Sequence, residues 1–245
     1  ELGVEDPRIV KIGNKYIMTY VALSRDGNIS TSLAESKDAL VWERKGIIFQ
    51  EQNKDVVLFP EKINGKYCAF NRPEGNFEFS QPNISLVKSR DLKYWGEPVE
   101  MRLAKKNEWD YGRVGAGPPP LKTKKGWLLI YHGVIESKKR IKNPVLESSY
   151  QDDSNYITTA TYSVGAALLD LKNPEKVIAK SKNPIIVPKK DYERGTFENK
   201  RVVFPTGLVV DENGKDLLIF SGGGDVVTTV KKVSLNEIMK SLKKV

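Results

Sequence analysis

Two landmarks return at nearly the same interval along this chain. Ser36-Lys37-Asp38 lies ahead of Trp42, and Ser89-Arg90-Asp91 lies ahead of Trp95, so the tryptophans are 53 residues apart. The turn glycines Gly13 and Gly65 are 52 residues apart. A unit of that length cannot bury its apolar face alone and must stack against copies of itself; the size suits one blade of a β-propeller. In each copy the Asp can close a turn while the Trp covers the blade edge. Four hairpins are spaced accordingly. Segments 8–12 and 16–23 flank Gly13-Asn14, and Asn64-Gly65 separates Lys62-Ile63 from 67–70. Segment 127–131 follows Lys124-Lys125-Gly126, and Asp211-Glu212-Asn213-Gly214 separates 207–210 from 217–220. These are hairpin signals. Proline is expected ahead of each first strand, at Pro7, Pro60, Pro118 to Pro120, and Pro205. A third marker is degenerate: the apolar segment 165–171, then Asn173-Pro174 and Ile185-Ile186.

The expectation is an all-β chain, one domain over residues 1–245, with a β-sandwich as the competing architecture. One helix is expected, where Ser234-Leu235-Asn236-Glu237 forms a capping box ahead of Ile238, Met239 and Leu242. Segment 136–161 is polar without periodicity and reads as a long insertion between strands, a candidate lid.

Composition narrows the function. Of 245 residues, 39% are hydrophobic and 29% charged, which is globular rather than disordered. No apolar run is long enough for a membrane-spanning helix. One cysteine, Cys68, and one histidine, His132, exclude a Cys-rich zinc site and a multi-histidine centre. The net charge of +9 invites a nucleic-acid reading. The excess is lysine pairs in turns, however, and no RNA-binding or helix-turn-helix pattern accompanies it. A small anionic substrate is the better use of that field.

In a propeller the first strand of each blade lines a central channel, and the turns beside those strands face one funnel. Unusual polar residues stand there: Glu5-Asp6-Pro7-Arg8, Asn53-Lys54-Asp55, Pro60-Glu61-Lys62, Asn71-Arg72-Pro73, Arg113, Tyr131-His132-Gly133, Glu198-Asn199-Lys200-Arg201, and Asp225. Carboxylates can perform acid/base work at a glycosidic bond, while Arg and His hold phosphate.

At these residues the sequence resembles glycoside hydrolase family 130. The resemblance is carried by Gly3-Val4-Glu5-Asp6-Pro7-Arg8, Val57-Leu58-Phe59-Pro60-Glu61-Lys62-Ile63-Asn64-Gly65-Lys66-Tyr67, segment 115–120 with Gly126-Trp127-Leu128-Leu129-Ile130-Tyr131-His132-Gly133, and Gly165-Ala166-Ala167-Leu168-Leu169-Asp170-Leu171. It implies a five-bladed β-propeller with a short C-terminal helix. At least four blades are expected in this chain, because the family carries roughly one more blade ahead of the Glu-Asp-Pro-Arg motif; the first is expected to be truncated or absent.

The resemblance also implies an inverting phosphorylase that cleaves β-mannosides with inorganic phosphate to give α-mannose 1-phosphate. Asp6 matches the catalytic acid, its proton reaching the glycosidic oxygen through a sugar hydroxyl. Arg72, His132 and Tyr162 match phosphate contacts. Arg113 falls where Lys is common. Lys54 and Asp55 fall where Arg and Asn often occur, and Arg201 where Asn is usual. Arg8, Asp55, Glu61, Lys62 and Asp225 are the expected substrate contacts. The implied partners are a small oligosaccharide and phosphate, with no metal or organic cofactor, no nucleic acid and no membrane; a cytoplasmic location is expected, and a homo-oligomer is compatible with it. Two alternatives stay open: an inverting β-mannosidase using Asp55 or Glu61 as the base for water, and a non-catalytic carbohydrate-binding propeller.

Overall fold

A computed structural model describes residues 2–50, 52–74, 82–140, 156–195 and 200–245. They form four antiparallel blades. Blade 1 is β1 (Gly3–Ile12), β2 (Lys15–Leu23), β3 (Ile29–Ser36) and β4 (Glu43–Phe49), in that spatial order. Blade 2 repeats it with β5 (Asn53–Leu58), β6 (Tyr67–Pro73), β7 (Ser85–Ser89) and β8 (Trp95–Glu100). In blade 3 the inner strand is split into β9 (Arg113–Ala116) and β10 (Leu121–Thr123), both paired with β11 (Gly126–Arg140), followed by β12 (Tyr156–Leu169) and β13 (Val177–Ser181). Blade 4 is β14 (Arg201–Val210), β15 (Asp216–Gly223) and β16 (Val227–Ser234). A two-residue parallel pairing of Thr161-Tyr162 with Arg201-Val202 joins blades 3 and 4.

The recurrent turns have one chemistry. Asp38 Oδ1 accepts the backbone N–H groups of Leu40 and Val41 at 2.9 and 3.0 Å; Asp91 Oδ1 accepts those of Lys93 and Tyr94 at 2.9 Å each. Trp42 and Trp95 each donate Nε1–H back to a turn carbonyl, of Ala39 and Leu92. Asp170 closes the degenerate third copy in the same way, from Lys172 and Asn173, with no Trp. Asn64 and Gly65 both adopt positive φ, 51° and 78°, which is the type I′ geometry that suits a tight hairpin.

Apolar residues collect between blades. Val10, Ile17 and Leu33 of blade 1 meet Val56, Leu58 and Ala69 of blade 2. Phe59, Phe70 and Leu86 of blade 2 meet Trp127, Leu129 and Tyr131 of blade 3. Leu128, Ile130 and Ala166 of blade 3 meet Val203, Leu217 and Ile219 of blade 4. Helix α1 (Leu235–Ser241) begins at Ser234, whose side chain accepts from the Glu237 N–H, and buries Ile238 against this last core. The chain then forms β17 (Leu242–Lys244), which extends blade 3 on β13.

Two expectations need correction. Proline stands directly ahead of an inner-strand segment only in blade 3, at Pro120 before β10. Pro7 and Pro205 sit at register shifts within β1 and β14, Pro118 to Pro120 fill the gap between β9 and β10, and Pro60 follows β5. A residue without an N–H costs least where the ladder is already interrupted. Segment 136–161 is not wholly an insertion, since β11 and β12 stay paired out to Arg140 and Tyr156. The two strands are joined by backbone pairing, which leaves no apolar alternation in so polar a segment. Its tip, 141–155, lies outside the described residues. Among the described residues no helix is long and apolar enough to cross a membrane.

Candidate active site

The upper ends of the inner strands open on one cavity of about 550 Å3. Glu5 and Asp6 come from β1, Lys54 and Asp55 from β5, Arg72 from β6, Arg113 from β9 and Tyr162 from β12. Lys200, Val202, Phe204, Thr206, Gly222 and Asp225 complete it from blade 4 and its flanks.

The backbone places the two central carboxylates by the same device. Asp6 and Asp55 have φ of 52° and 54°, and each lies within a register shift of its strand, between Glu5 and Arg8 and between Lys54 and Val57. A bulge re-aims a side chain, and Asp tolerates the left-handed conformation better than most residues. Asp6 remains partly open to the cavity, whereas the Asp55 side chain is only 1% exposed.

Beneath the cavity is a cluster of charge. Arg72 Nη1 lies 2.9 Å from Asp55 Oδ2, and Arg72 Nη2 donates to Glu74. Arg8 Nη2 lies 3.8 Å from Asp55 Oδ1. Arg8 also donates from Nε to the Gly117 carbonyl at 3.0 Å, reaching blade 3, and its guanidinium is 5.2 Å from the Phe204 ring centroid in blade 4. His132 Nε2 is 3.5 Å from Asp55 Oδ2 and 3.4 Å from Arg72 Nη1. Gly115 makes this meeting possible, because a β-carbon there would overlap both Asp55 Oδ2 and the His132 ring.

The surroundings set protonation in opposite directions. Burial holds the Asp6 carboxyl above the usual carboxylate range; Asp55 and Glu5 add to this, while Arg8 and Lys54 oppose it. Burial would also raise Asp55, but Arg72, Arg8 and Lys54 help to outweigh it and hold that carboxyl low. Asp6 is thus suited to give a proton and Asp55 to stay charged. Burial, with Arg72, Arg8 and Arg113 nearby, brings His132 down to about 3 against the pull of Asp55. Its ring is neutral around neutral pH and carries no charge toward the cavity. The native state refuses a proton that the unfolded chain accepts below about 6.5. This group therefore supports stability fully above that pH and progressively less as pH falls toward 3.

The expected residues divide clearly. Asp6, Lys54, Asp55, Arg72, Arg113, Tyr162 and Asp225 line the cavity. His132 and Arg8 lie under it, His132 wholly buried and Arg8 2% exposed. Glu61 and Lys62 are not brought to it. Glu61 pairs with Lys122 Nζ at 2.5 Å, and Lys62 Nζ sits 4.3 Å from the Tyr67 ring, near the opposite end of blade 2. Arg201 is exposed and does not line the cavity. Glu198 and Asn199 lie outside the described residues. Glu5 and Lys200, which the sequence places among the funnel residues without a contact role, join the lining, and so does Phe204, for which the sequence offers no signal.

The chain belongs to glycoside hydrolase family 130, the mannoside phosphorylase family. The family profile, described as beta-1,4-mannooligosaccharide phosphorylase, matches residues 1–244. Over 239 residues the chain is 39% identical to the 1,2-beta-oligomannan phosphorylase of Thermoanaerobacter sp. (strain X514), covering 96% of this chain and 70% of that protein. Over 244 residues it is 35% identical to the beta-1,2-mannobiose phosphorylase of Listeria innocua serovar 6a, covering 98% of this chain and 60% of that one. A solved beta-1,2-mannobiose phosphorylase from Listeria innocua, in complex with beta-1,2-mannobiose, superposes with a TM-score of 0.80 at 34% identity, covering 98% of this chain and 60% of its own. Relatives of this fold are five-bladed β-propellers, and the described residues here supply four blades.

Proposed function

We propose that this protein is an inverting phosphorylase that cleaves β-mannosides with inorganic phosphate and releases α-mannose 1-phosphate. The observation that carries the reading is one cavity in which a carboxyl held toward its protonated form, Asp6, faces the cations Lys54, Arg72 and Arg113. Asp6 gives its proton, through a sugar hydroxyl, to the glycosidic oxygen as the bond from C1 breaks. A phosphate oxygen bonds to C1 from the opposite face, which inverts the anomeric configuration. Arg72, Arg113 and Lys54 hold the anion, and the Tyr162 hydroxyl can donate to it. The neutral His132 ring works from below, through Arg72. A small oligosaccharide fits the cavity volume, and Asp225 and Glu5 are placed to accept sugar hydroxyls.

Hydrolysis on the same scaffold needs a carboxylate free to activate water. Asp55 is committed to Arg72 and Arg8, and Glu61 is elsewhere. That weighs against both as bases for water.

The substrate class follows the family; the linkage is open to direct assay. β-1,2-Mannobiose and β-1,4-mannobiose should each be incubated with the purified protein, with and without phosphate, and the products followed by 31P NMR. Phosphate-dependent formation of mannose 1-phosphate is expected. Free mannose released equally fast without phosphate would sink the proposal.

A further inference from the structure

Arg8 is expected from the sequence to touch substrate, yet it is 2% exposed and does not line the cavity. What it touches is the backbone that carries Asp6. In β1 Glu5 pairs with Val21 and Arg8 with Thr19, so Asp6 and Pro7 stand outside the ladder, and Asp6 has a φ of 52°. Arg8 Nη1 donates to the Asp6 carbonyl at 3.0 Å and to the Pro7 carbonyl at 3.4 Å. Nε of the same guanidinium donates to the Gly117 carbonyl at 3.0 Å, across to blade 3. Gly117 is itself held. Its N–H donates to the Ile130 carbonyl at 3.0 Å, and a β-carbon there would lie 2.7 Å from that same oxygen. One planar group therefore ties the bulge of blade 1 to a fixed point of blade 3.

We propose that Arg8 is a positioning residue for the acid: its guanidinium holds the Asp6 carbonyl, and with it the left-handed bulge that presents the Asp6 carboxyl to the cavity, against blade 3. The proposal rests on Asp6 being the acid of the phosphorylase reading above. Asp in the left-handed region has competing backbone states, so a bond to its carbonyl selects one of them. The fork of an arginine carries donors at fixed angles and can hold two carbonyls at once; a lysine offers the same charge from a single nitrogen. Displacing a reacting group by about 1 Å can cost on the order of a hundredfold in rate.

Fork and charge can be separated by two substitutions. Arg8→Lys keeps the charge and loses the fork. Arg8→Met keeps an unbranched stem and loses both. With the mannobiose that the wild type cleaves, kcat should fall by about tenfold or more in Arg8→Lys and at least as far in Arg8→Met. The KM values for phosphate and mannoside should each change by less than about threefold, since the interaction lost acts in the transition state. In a 13C NMR titration the Asp6 carboxyl of Arg8→Lys should behave as in the wild type, because Glu5, Lys54, Asp55 and a cation at position 8 all remain around it. The loss of rate then belongs to geometry. Arg8→Lys at the wild-type kcat overturns the proposal; so does a loss carried by KM, or one matched by a shifted Asp6 titration. If neither variant folds, a crystal structure of the wild type with mannobiose and phosphate decides. Arg8 on the Asp6 and Gly117 carbonyls and clear of both ligands supports the proposal, and a hydrogen bond from Arg8 to either ligand overturns it. A wild-type protein without phosphate-dependent turnover overturns the phosphorylase reading and this proposal together. Normal wild-type phosphorolysis with Arg8→Lys unimpaired overturns this proposal alone.

Discussion

Asp6 and Asp55 occupy one place in two successive blades, and their surroundings push their protonation in opposite directions. Both sit at a left-handed bulge on the inner strand, and both line the cavity. Around Asp6 the immediate charges are mixed, Glu5 and Asp55 against Arg8 and Lys54, and burial decides that the carboxyl is held high. Around Asp55 cations dominate, and it is held low. The backbone thus repeats, while the side chains supplied by neighbouring blades differ. The same bulge holds one carboxyl high and the other low, because Asp6 is surrounded by charges of blades 1 and 2 and Asp55 by cations and a histidine of blades 1 to 3.

The sharpest break of this comparison is at Asp6. Asp6→Asn keeps the size and removes the proton, and turnover should slow by on the order of a hundredfold or more. Steady-state phosphorolysis checks it, with mannoside binding measured separately. A variant near wild-type rate would remove the acid role and leave the two carboxylates functionally alike. The next effect falls on the space that Asp55 requires. Gly115→Ala places a β-carbon against Asp55 and His132. It should cost about 1–3 kcal/mol of stability, typical of overpacking, together with a raised KM for phosphate. Thermal melting and the phosphate titration read the two separately; an unchanged Tm would mean that the floor can yield.

Much of this is legible in the sequence, and the failures have physical causes. The blade repeat is readable because its markers are local: an Asp accepts N–H groups two and three residues on, and a Trp returns to the same turn. Asp6, Arg72 and Arg113 are readable because they flank inner-strand ends. The same reasoning misplaces Glu61 and Lys62. They follow Asp55 by six and seven positions, and a strand rises about 3.3 Å per residue. Roughly 20 Å of travel carries them from the funnel to the far end of the blade. His132 is legible as a residue and misleading as a charge, because wholly buried surroundings are a property of the assembled blades and not of Tyr131-His132-Gly133. Phe204 requires knowing how blade 4 turns toward the cavity.

The comparison is sharpened by pH. Asp55→Asn removes a negative charge that helps keep the Asp6 proton in place, with Glu5, Arg8 and Lys54 unchanged around it. The Asp6 carboxyl then loses its proton at lower pH. Since the acid works only when protonated, the alkaline limb of the turnover profile should move to lower pH. 13C NMR titration of the Asp6 carboxyl should move the same way. A limb that stays put would show that the two carboxylates do not sense one another.

The smallest effect is expected at Glu61, and it bounds the site from outside. Glu61 stands only six residues from Asp55 in sequence, and a carboxylate in so motif-rich a stretch invites a catalytic reading. Its structural partner is Lys122, on a pair about half exposed on each side. Solvent-exposed pairs of this kind contribute about 0–1 kcal/mol, and screening by salt reduces that further. Glu61→Gln should therefore leave turnover and both KM values within about twofold and stability within about 0.5 kcal/mol. Lys62, which covers the Tyr67 ring, should behave similarly. If Glu61→Gln instead slowed turnover about a hundredfold, the scale of a lost acid or base, with the Tm unchanged, a second working carboxylate would stand at the far end of blade 2. The division between an acid at Asp6 and a charged carboxylate at Asp55 would then no longer account for the chemistry of the inner strands.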